Sequence, residues 1–232
     1  MRGCQQASDP VAARSAPGGG AVSGGGVVVA CTGGIGAGKS SVGRLLAARG
    51  AVVVDADAAA REVVAAGSAV LGAVRERFGD EVLSRDGTLD RGALAAVVFH
   101  DGAARRDLEA IMHPAISELL ERRVGELRRR DEVAVLELPL LVGADVRQRY
   151  DLDGVLLVDV PEEVALDRLA VGGRITPDDA RTRMAAQPSR AERLANADFV
   201  ILNLGSPAEL AEMVDRAWSW IVSLEAGRAA AR

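Results

Sequence analysis

The stretch Val27–Ser41, VVVACTGGIGAGKSS, runs from apolar residues through a loop almost bare of side chains to one lysine and two hydroxyls. A chain carrying it has few choices of fold. The apolar run reads as a buried strand, and a helical pattern follows at once. Gly33 to Ser40 matches G-x-x-x-x-G-K-[ST] in that strand-to-helix context. The glycines let successive N–H groups turn inward around phosphate oxygens with no Cβ in the way. A helix beginning near Ser40 adds its positive end. Gly34, Gly36, Ala37, Gly38, Lys39, Ser40 and Ser41 are therefore expected to hold a nucleoside triphosphate. Lys39 reaches the β and γ phosphates, Ser40 ligates Mg²⁺ and Ser41 donates to the α phosphate. Of the 28 basic residues Lys39 is the only lysine. A compact ammonium enters a phosphate nest that a planar guanidinium does not enter in the same way.

Further short β-branched runs follow: AVVVD (51–55), VAVLEL (133–138), GVLLVDV (154–160) and DFVILN (198–203). Each is nearly continuous apolar, as expected of strands covered on both faces. Helical patterns alternate with them, so the chain reads as α/β with a five-stranded parallel sheet flanked by helices. The patterns span 40–49, 58–66, 68–78, 91–98, 101–112, 114–130, 161–169, 176–186 and 207–224. Residues 56–132 are too long for a simple crossover. They are expected to form a helical insert over the carboxyl ends of the strands, where ligands bind in such sheets. Residues 1–26, rich in Gly, Ala, Ser and Pro, read as a disordered tail. Residues 225–232 read as a frayed end, leaving one folded domain over 27–224.

Composition excludes several classes. A net charge of -5 gives no bulk attraction to nucleic acid or anionic lipid. No apolar run approaches the roughly 20 residues of a membrane span, so a cytoplasmic protein is expected, monomeric or weakly self-associating. Cys4 and Cys31 form no metal or disulfide pattern, and Cys31 reads as a buried filler. A GTPase box of the form Asn-Lys-x-Asp is impossible, since the one lysine is in the loop, and a transporter LSGGQ signature is absent. Small-molecule kinases remain.

Such a kinase needs a group that orients an acceptor hydroxyl and takes its proton. Asp55, at the end of the second strand, is the candidate. Asp57 is read as the cap of the following helix or as a substrate contact. Arg61, four residues on, is placed either to grip a substrate phosphate or to pair with Asp57. Asp159 ends the fourth strand, where it orders the loop or caps the next helix. Thr176-Pro177-Asp178-Asp179 is a strong helix start.

Taken together the motifs resemble the dephospho-coenzyme A kinase family over nearly everything from Val28 to about Leu224. The segments that carry the likeness are TGGIGAGKS, VVVDADAAAREVV, FGDEVLSRDGTLDRGALAAVVF, LEAIMHPAI, ELPLLVG, LLVDVP and RTRMAAQPSRAERLANADFVILNLGS. The resemblance implies a P-loop kinase fold with a helical acceptor-binding insert and a lid over 167–187. It implies transfer of the γ-phosphate of ATP, with Mg²⁺, to the 3′-hydroxyl of dephospho-CoA. Carried over, Asp55 matches the proposed base. Arg61 and His113 match positions near the acceptor, Asn203 the adenine side of the nucleotide, and Arg183 a lid position. Two positions depart. Gly143 stands where the family more usually has Glu, and Glu137 is no simple replacement. Gly172 stands where a lid arginine is common, which leaves that catalytic role to Arg174 or Arg168. The alternatives are another P-loop small-molecule or nucleoside monophosphate kinase, and an ATP-binding module with impaired catalysis.

Overall fold

Alternation within each apolar run decides the layers. In the computed structural model, which describes residues 25–139, 144–171 and 176–230, Val27, Val29 and Cys31 face one side of the sheet and Val28 and Ala30 the other. The strands are β1 (Val28–Gly33), β2 (Val52–Asp55), β3 (Ala134–Glu137), β4 (Gly154–Asp159) and β5 (Phe199–Leu202). They form one parallel sheet in the order β2-β3-β1-β4-β5. Both faces are covered, which is why the runs show no polar alternation.

The helices are α1 (Lys39–Ala47), α2 (Ala56–Glu62), α3 (Ala69–Phe78), α4 (Arg91–His100), α5 (Gly102–Arg129), α6 (Ala144–Arg149), α7 (Glu162–Val171), α8 (Pro177–Ala185), α9 (Arg190–Ala195) and α10 (Pro207–Ala230). On one face Val42 and Leu46 of α1 and Val214 and Ile221 of α10 pack on Val29, Leu156 and Ile201. On the other, Ala59 of α2 and Leu119, Leu120 and Val124 of α5 pack on Val54, Leu136 and Val155.

Two expectations change. Residues 101–112 and 114–130 are one helix of 28 residues, with Pro114 inside it. Proline removes the N–H that would bond the carbonyl four residues back and crowds that turn. Packing on both sides of the proline explains why the helix continues. Ile111, before Pro114, joins a small cluster of Val74, Phe78, Val82, Leu94 and Ala104. Ile116, after it, joins the sheet core. One helix thus ties a core of the insert to the core of the sheet. At the carboxyl end α10 runs to Ala230 rather than fraying from Glu225. Arg228 holds it, pairing with Asp151 at 2.8 Å and with Asp153. Asp153 is largely buried, and it also accepts from Val28 N–H at 2.8 Å and pairs with Arg128 at 3.0 Å.

Candidate active site

The loop from Gly33 to Ser40 closes at the amino end of α1. Gly36 and Gly38 have φ of 76° and 95°, conformations that disfavour a side chain. Gly38 is the N-cap of α1. The loop is propped from beneath by Asn203, just past β5. Its Nδ2 donates to the Ala37 carbonyl at 2.8 Å. Its N–H donates to the Asp159 carbonyl at 3.0 Å, and its own carbonyl accepts from Arg168 Nη2 at 2.7 Å. Asn203, expected on the adenine side of a nucleotide, is thus bonded to the loop itself. Arg168, one of the two lid candidates, is engaged on its backbone. The other, Arg174, lies outside the described residues, as do Gly143 and Gly172.

Lys39 folds back over the loop, with Nζ donating to the Gly33 carbonyl at 2.7 Å and lying 3.4 Å from that of Gly34. Burial holds its ammonium below the ordinary lysine range and Arg193 pushes the same way, while Glu137 and Asp57 pull it back up. Ser40 is exposed at the first turn of α1. Ser41 accepts from Arg44 Nη2 at 3.1 Å through its hydroxyl oxygen, which leaves its proton to donate. Cys31 beneath the loop is fully buried, and burial with the nearby Glu137 pushes its thiol up to about 12, so it stays an inert thiol.

The carboxylates stand beside this loop. Asp55 and Glu137 are partners in register on β2 and β3, and Glu137 is also level with Cys31. Asp55 is the N-cap of α2: its Oδ1 accepts from Asp57 N–H at 2.8 Å, and Arg61 Nη2 is 3.7 Å from its Oδ2. This corrects two expectations. Asp57 lies in the first turn of α2 and does not cap it, and Arg61 faces Asp55 rather than Asp57 as its carboxylate. Asp57 is exposed, and its charge is the one of the pair that reaches Lys39. Glu137 packs against α1 where Gly43 leaves room: a Cβ there would sit 1.8 Å from its Oε1. Burial, then the charge of Asp55, raises the Glu137 carboxyl above its usual range. His113 is exposed near the middle of α5.

A cavity of about 550 Å³ opens on the β4 side of the loop, a size that suits a small ligand. Gly34, Ile35 and Ala37 form its floor, and Arg181, Met184, Gln187, Arg190 and Arg193 its far wall. Asp159, only 1% exposed, pairs there with Arg190 through Oδ2 at 2.6 and 2.9 Å. Gln187 Oε1 accepts from Ile35 N–H at 3.1 Å. On α8 it is Arg181 that lines the cavity, whereas Arg183, two residues on, is exposed and does not. α8 starts as the Thr176 cap predicts, with Thr176 Oγ1 accepting from Asp179 N–H at 3.2 Å. Sequence reasoning gave Gln187 no role beyond ending the expected 167–187 lid, and it missed Arg190 and Arg193 because it did not recognise α9. The signal was there: Ser189 and Glu192 form a reciprocal capping box.

A family model described as dephospho-CoA kinase matches residues 27–209. A dephospho-CoA kinase of Frankia casuarinae is 45% identical over 203 residues, covering 88% of this chain and 87% of the relative. One of Streptomyces avermitilis is 45% identical over 194 residues, covering 84% and 93%. Among solved structures, TT1252 from Thermus thermophilus matches with a TM-score of 0.68 at 32% identity, covering 83% of this chain and 96% of that one. A shikimate kinase from Bacteroides thetaiotaomicron, at 15% identity and a TM-score of 0.51 over 84% and 98%, shares the fold alone. The loop at Gly33, the strand-end carboxylates and the sheet order therefore sit in a recognised setting, and the chain belongs to the dephospho-CoA kinase family.

Proposed function

We propose that this chain transfers the γ-phosphoryl group of ATP to the ribose 3′-hydroxyl of dephospho-CoA, giving coenzyme A and ADP, the last step of coenzyme A synthesis. The observation that carries the reading is the juxtaposition at the sheet's carboxyl edge. A glycine-rich loop with two left-handed glycines, closed by Lys39, stands beside carboxylates on the neighbouring elements. ATP lies on Gly34–Ser41, and dephospho-CoA on the β2 side under the insert, with Arg61 and His113 as acceptor contacts. Lys39 exchanges the carbonyls of Gly33 and Gly34 for phosphate oxygens. The work is that of positioning and charge, as phosphoryl transfer requires.

The residues suit Mg²⁺. Ser40 offers an exposed hydroxyl at the loop, and no three His, Cys, Asp or Glu side chains gather into a metal cage among the described residues. Mg²⁺ takes most of its oxygens from phosphate and water, and needs no such cage. When bound, it offsets charge on the β and γ phosphates.

The proton of the 3′-hydroxyl goes to a carboxylate of the Asp55–Asp57 pair. Asp55 already accepts from a backbone N–H and faces Arg61. We therefore assign the proton to Asp57 and the shaping of α2 to Asp55. Asp57→Asn is expected to collapse kcat and to spare ADP affinity. Asp55→Asn keeps a good cap and is expected to retain most turnover. The reverse pattern would return the base to Asp55. Lys39→Ala is expected to weaken both nucleotide affinity and turnover.

The reading extends to a cytoplasmic protein, monomeric or weakly self-associating. Among the described residues no helix is long and apolar enough to cross a membrane. The decisive assay couples ADP release to acceptor identity. ADP is expected with dephospho-CoA and not with nucleoside monophosphates. Release with a monophosphate and none with dephospho-CoA would overturn the assignment.

A further inference from the structure

Arg193 stands over the phosphate loop with no carboxylate paired to it among the described residues. Its Nη1 donates to the Pro188 carbonyl at 2.5 Å, which pins it to the turn ahead of α9. That turn is latched to the loop through Gln187 and the Ile35 N–H. Its Nη2 lies against the loop: a Cβ built on Gly34 would be 3.5 Å away, ordinary contact distance. Its Nε is buried with no hydrogen-bond partner among the described residues. The neighbouring arginines are engaged, Arg190 on Asp159, Arg181 on Asp178 and Arg168 on the Asn203 carbonyl. A buried guanidinium N–H left without an acceptor is costly and rare. What matches it is a group with several anionic oxygens in a plane facing the fork, and a phosphoryl group supplies them.

We propose that Arg193 is a catalytic residue, a fixed cation on α9, outside the 167–187 lid stretch, that touches the transferring phosphoryl group at the mouth of the loop. This rests on ATP being seated on Gly34–Ser41. In the transfer the bond from the γ-phosphorus to the β–γ bridging oxygen breaks and its electron pair leaves with ADP. The 3′-oxygen of the acceptor forms the new bond, and its proton passes to the carboxylate. The equatorial oxygens stay charged throughout, and Nε and Nη2 of Arg193 are the donors that meet them.

The test compares the unsubstituted full chain with Arg193→Met and Arg193→Lys. It measures kcat with dephospho-CoA, calorimetric affinity for ADP with Mg²⁺, affinity for ADP plus aluminium fluoride and dephospho-CoA, and the melting temperature. An arginine that contacts the transferring group is worth about a thousand-fold or more in kcat. The Met variant is expected to show that loss, to keep ADP affinity within about 3-fold, and to lose the tightening that aluminium fluoride brings. The Lys variant keeps a donor for the Pro188 turn, and is expected to melt normally yet recover little of kcat. Normal turnover in either variant would overturn the role. So would equal losses of ADP affinity and kcat, which would mark Arg193 as a support of the turn. If the unsubstituted chain binds ADP but shows no acceptor-dependent transfer, it is the acceptor assignment that fails. If it binds no ADP, the nucleotide reading of the loop fails with this one.

Discussion

Gly38 and Asn203 are coupled by geometry, and the coupling has a size. Gly38 holds φ 95° and ψ 26°, and a Cβ placed on it would lie 2.4 Å from Asn203 Nδ2. Gly38→Ala therefore does two things. It places alanine in a left-handed conformation, at about 1–2 kcal/mol. It also expels the Asn203 amide, leaving the Ala37 carbonyl without its bond, at about 1–3 kcal/mol. The single change should destabilise by about 2–5 kcal/mol in all. Asn203→Ala loses the same bond and costs about 1–3 kcal/mol. That bond can be lost only once. The double variant should then be no worse than Gly38→Ala alone, and less destabilised than the sum by about 1–3 kcal/mol. Urea unfolding of the four proteins at constant m-value measures the cycle. The same set assayed for the KM of ATP should show each single variant weakening nucleotide binding, since both disturb the loop. Free energies that add within about 0.5 kcal/mol would refute the argument. They would mean that alanine at residue 38 is accommodated without moving Asn203.

Other perturbations follow from the same row of residues. The Glu137 carboxyl is raised in the folded chain by burial and by Asp55, so its ionisation opposes folding at neutral pH. Below the ordinary carboxylate range it is protonated in both states and that opposition vanishes. Glu137→Gln is thus expected to unfold at higher urea than the unsubstituted chain at pH 7, with the gain fading as pH falls through about 4. A gain independent of pH would contradict it. Arg190→Met strips a nearly fully buried Asp159 of its partner. It should lower the melting temperature, and adding Asp159→Asn should recover most of the loss. Pro114→Ala restores a donor for the carbonyl four residues back and should stabilise by up to about 3 kcal/mol in chemical denaturation. A loss of stability would show that the proline's local geometry is required by packing at Ile111 and Ile116.

The sheet was legible because its signals are local. Five apolar runs gave five strands, and the loop was named by its glycines and its single lysine. The Thr176 start was legible for the same reason, since a cap and its partner lie three residues apart. What misled was local evidence set against tertiary packing. Pro114 argues for a helix boundary, yet α5 passes through it because apolar residues on both sides are buried. Asp55 and Asp57 are equally able to cap, and only the backbone entering α2 decides between them. The arginines of the cavity were illegible for a different reason. The chain has so many that sequence alone does not rank them, and the criterion that separates Arg193 from Arg181 and Arg190 is which already has a carboxylate. That depends on residues placed by three different elements, β4, α8 and α9. Arg183 shows the same limit in one helix: two residues from Arg181, it lies off the cavity wall.

The polar groups at the strand ends show how the fold concentrates charge without losing its core. β1 delivers the loop, β2 Asp55, β3 Glu137, β4 Asp159 and the turn after β5 Asn203. Each follows directly on residues that are wholly or mostly apolar, so the parallel register brings them to one edge, where Asn203 bonds both the loop and the Asp159 backbone. Three of these groups carry charge that burial disfavours or would leave unpaired: Lys39, Glu137 and Asp159. Asp159 is neutralised locally by Arg190. Lys39 and Glu137 are not bonded to each other by any hydrogen bond or ion pair among the described residues, and each remains shifted toward its neutral form. A sequence selected for stability alone would relax such a pair into a salt bridge or replace it with apolar residues. The arrangement makes sense where a third, highly charged body enters between them. The Lys39 ammonium, held below its usual range by burial, then gains anionic oxygens in place of the Gly33 carbonyl. Burial of that ammonium beside the loop is the physical reason to expect that a bound nucleotide phosphate stabilises the fold.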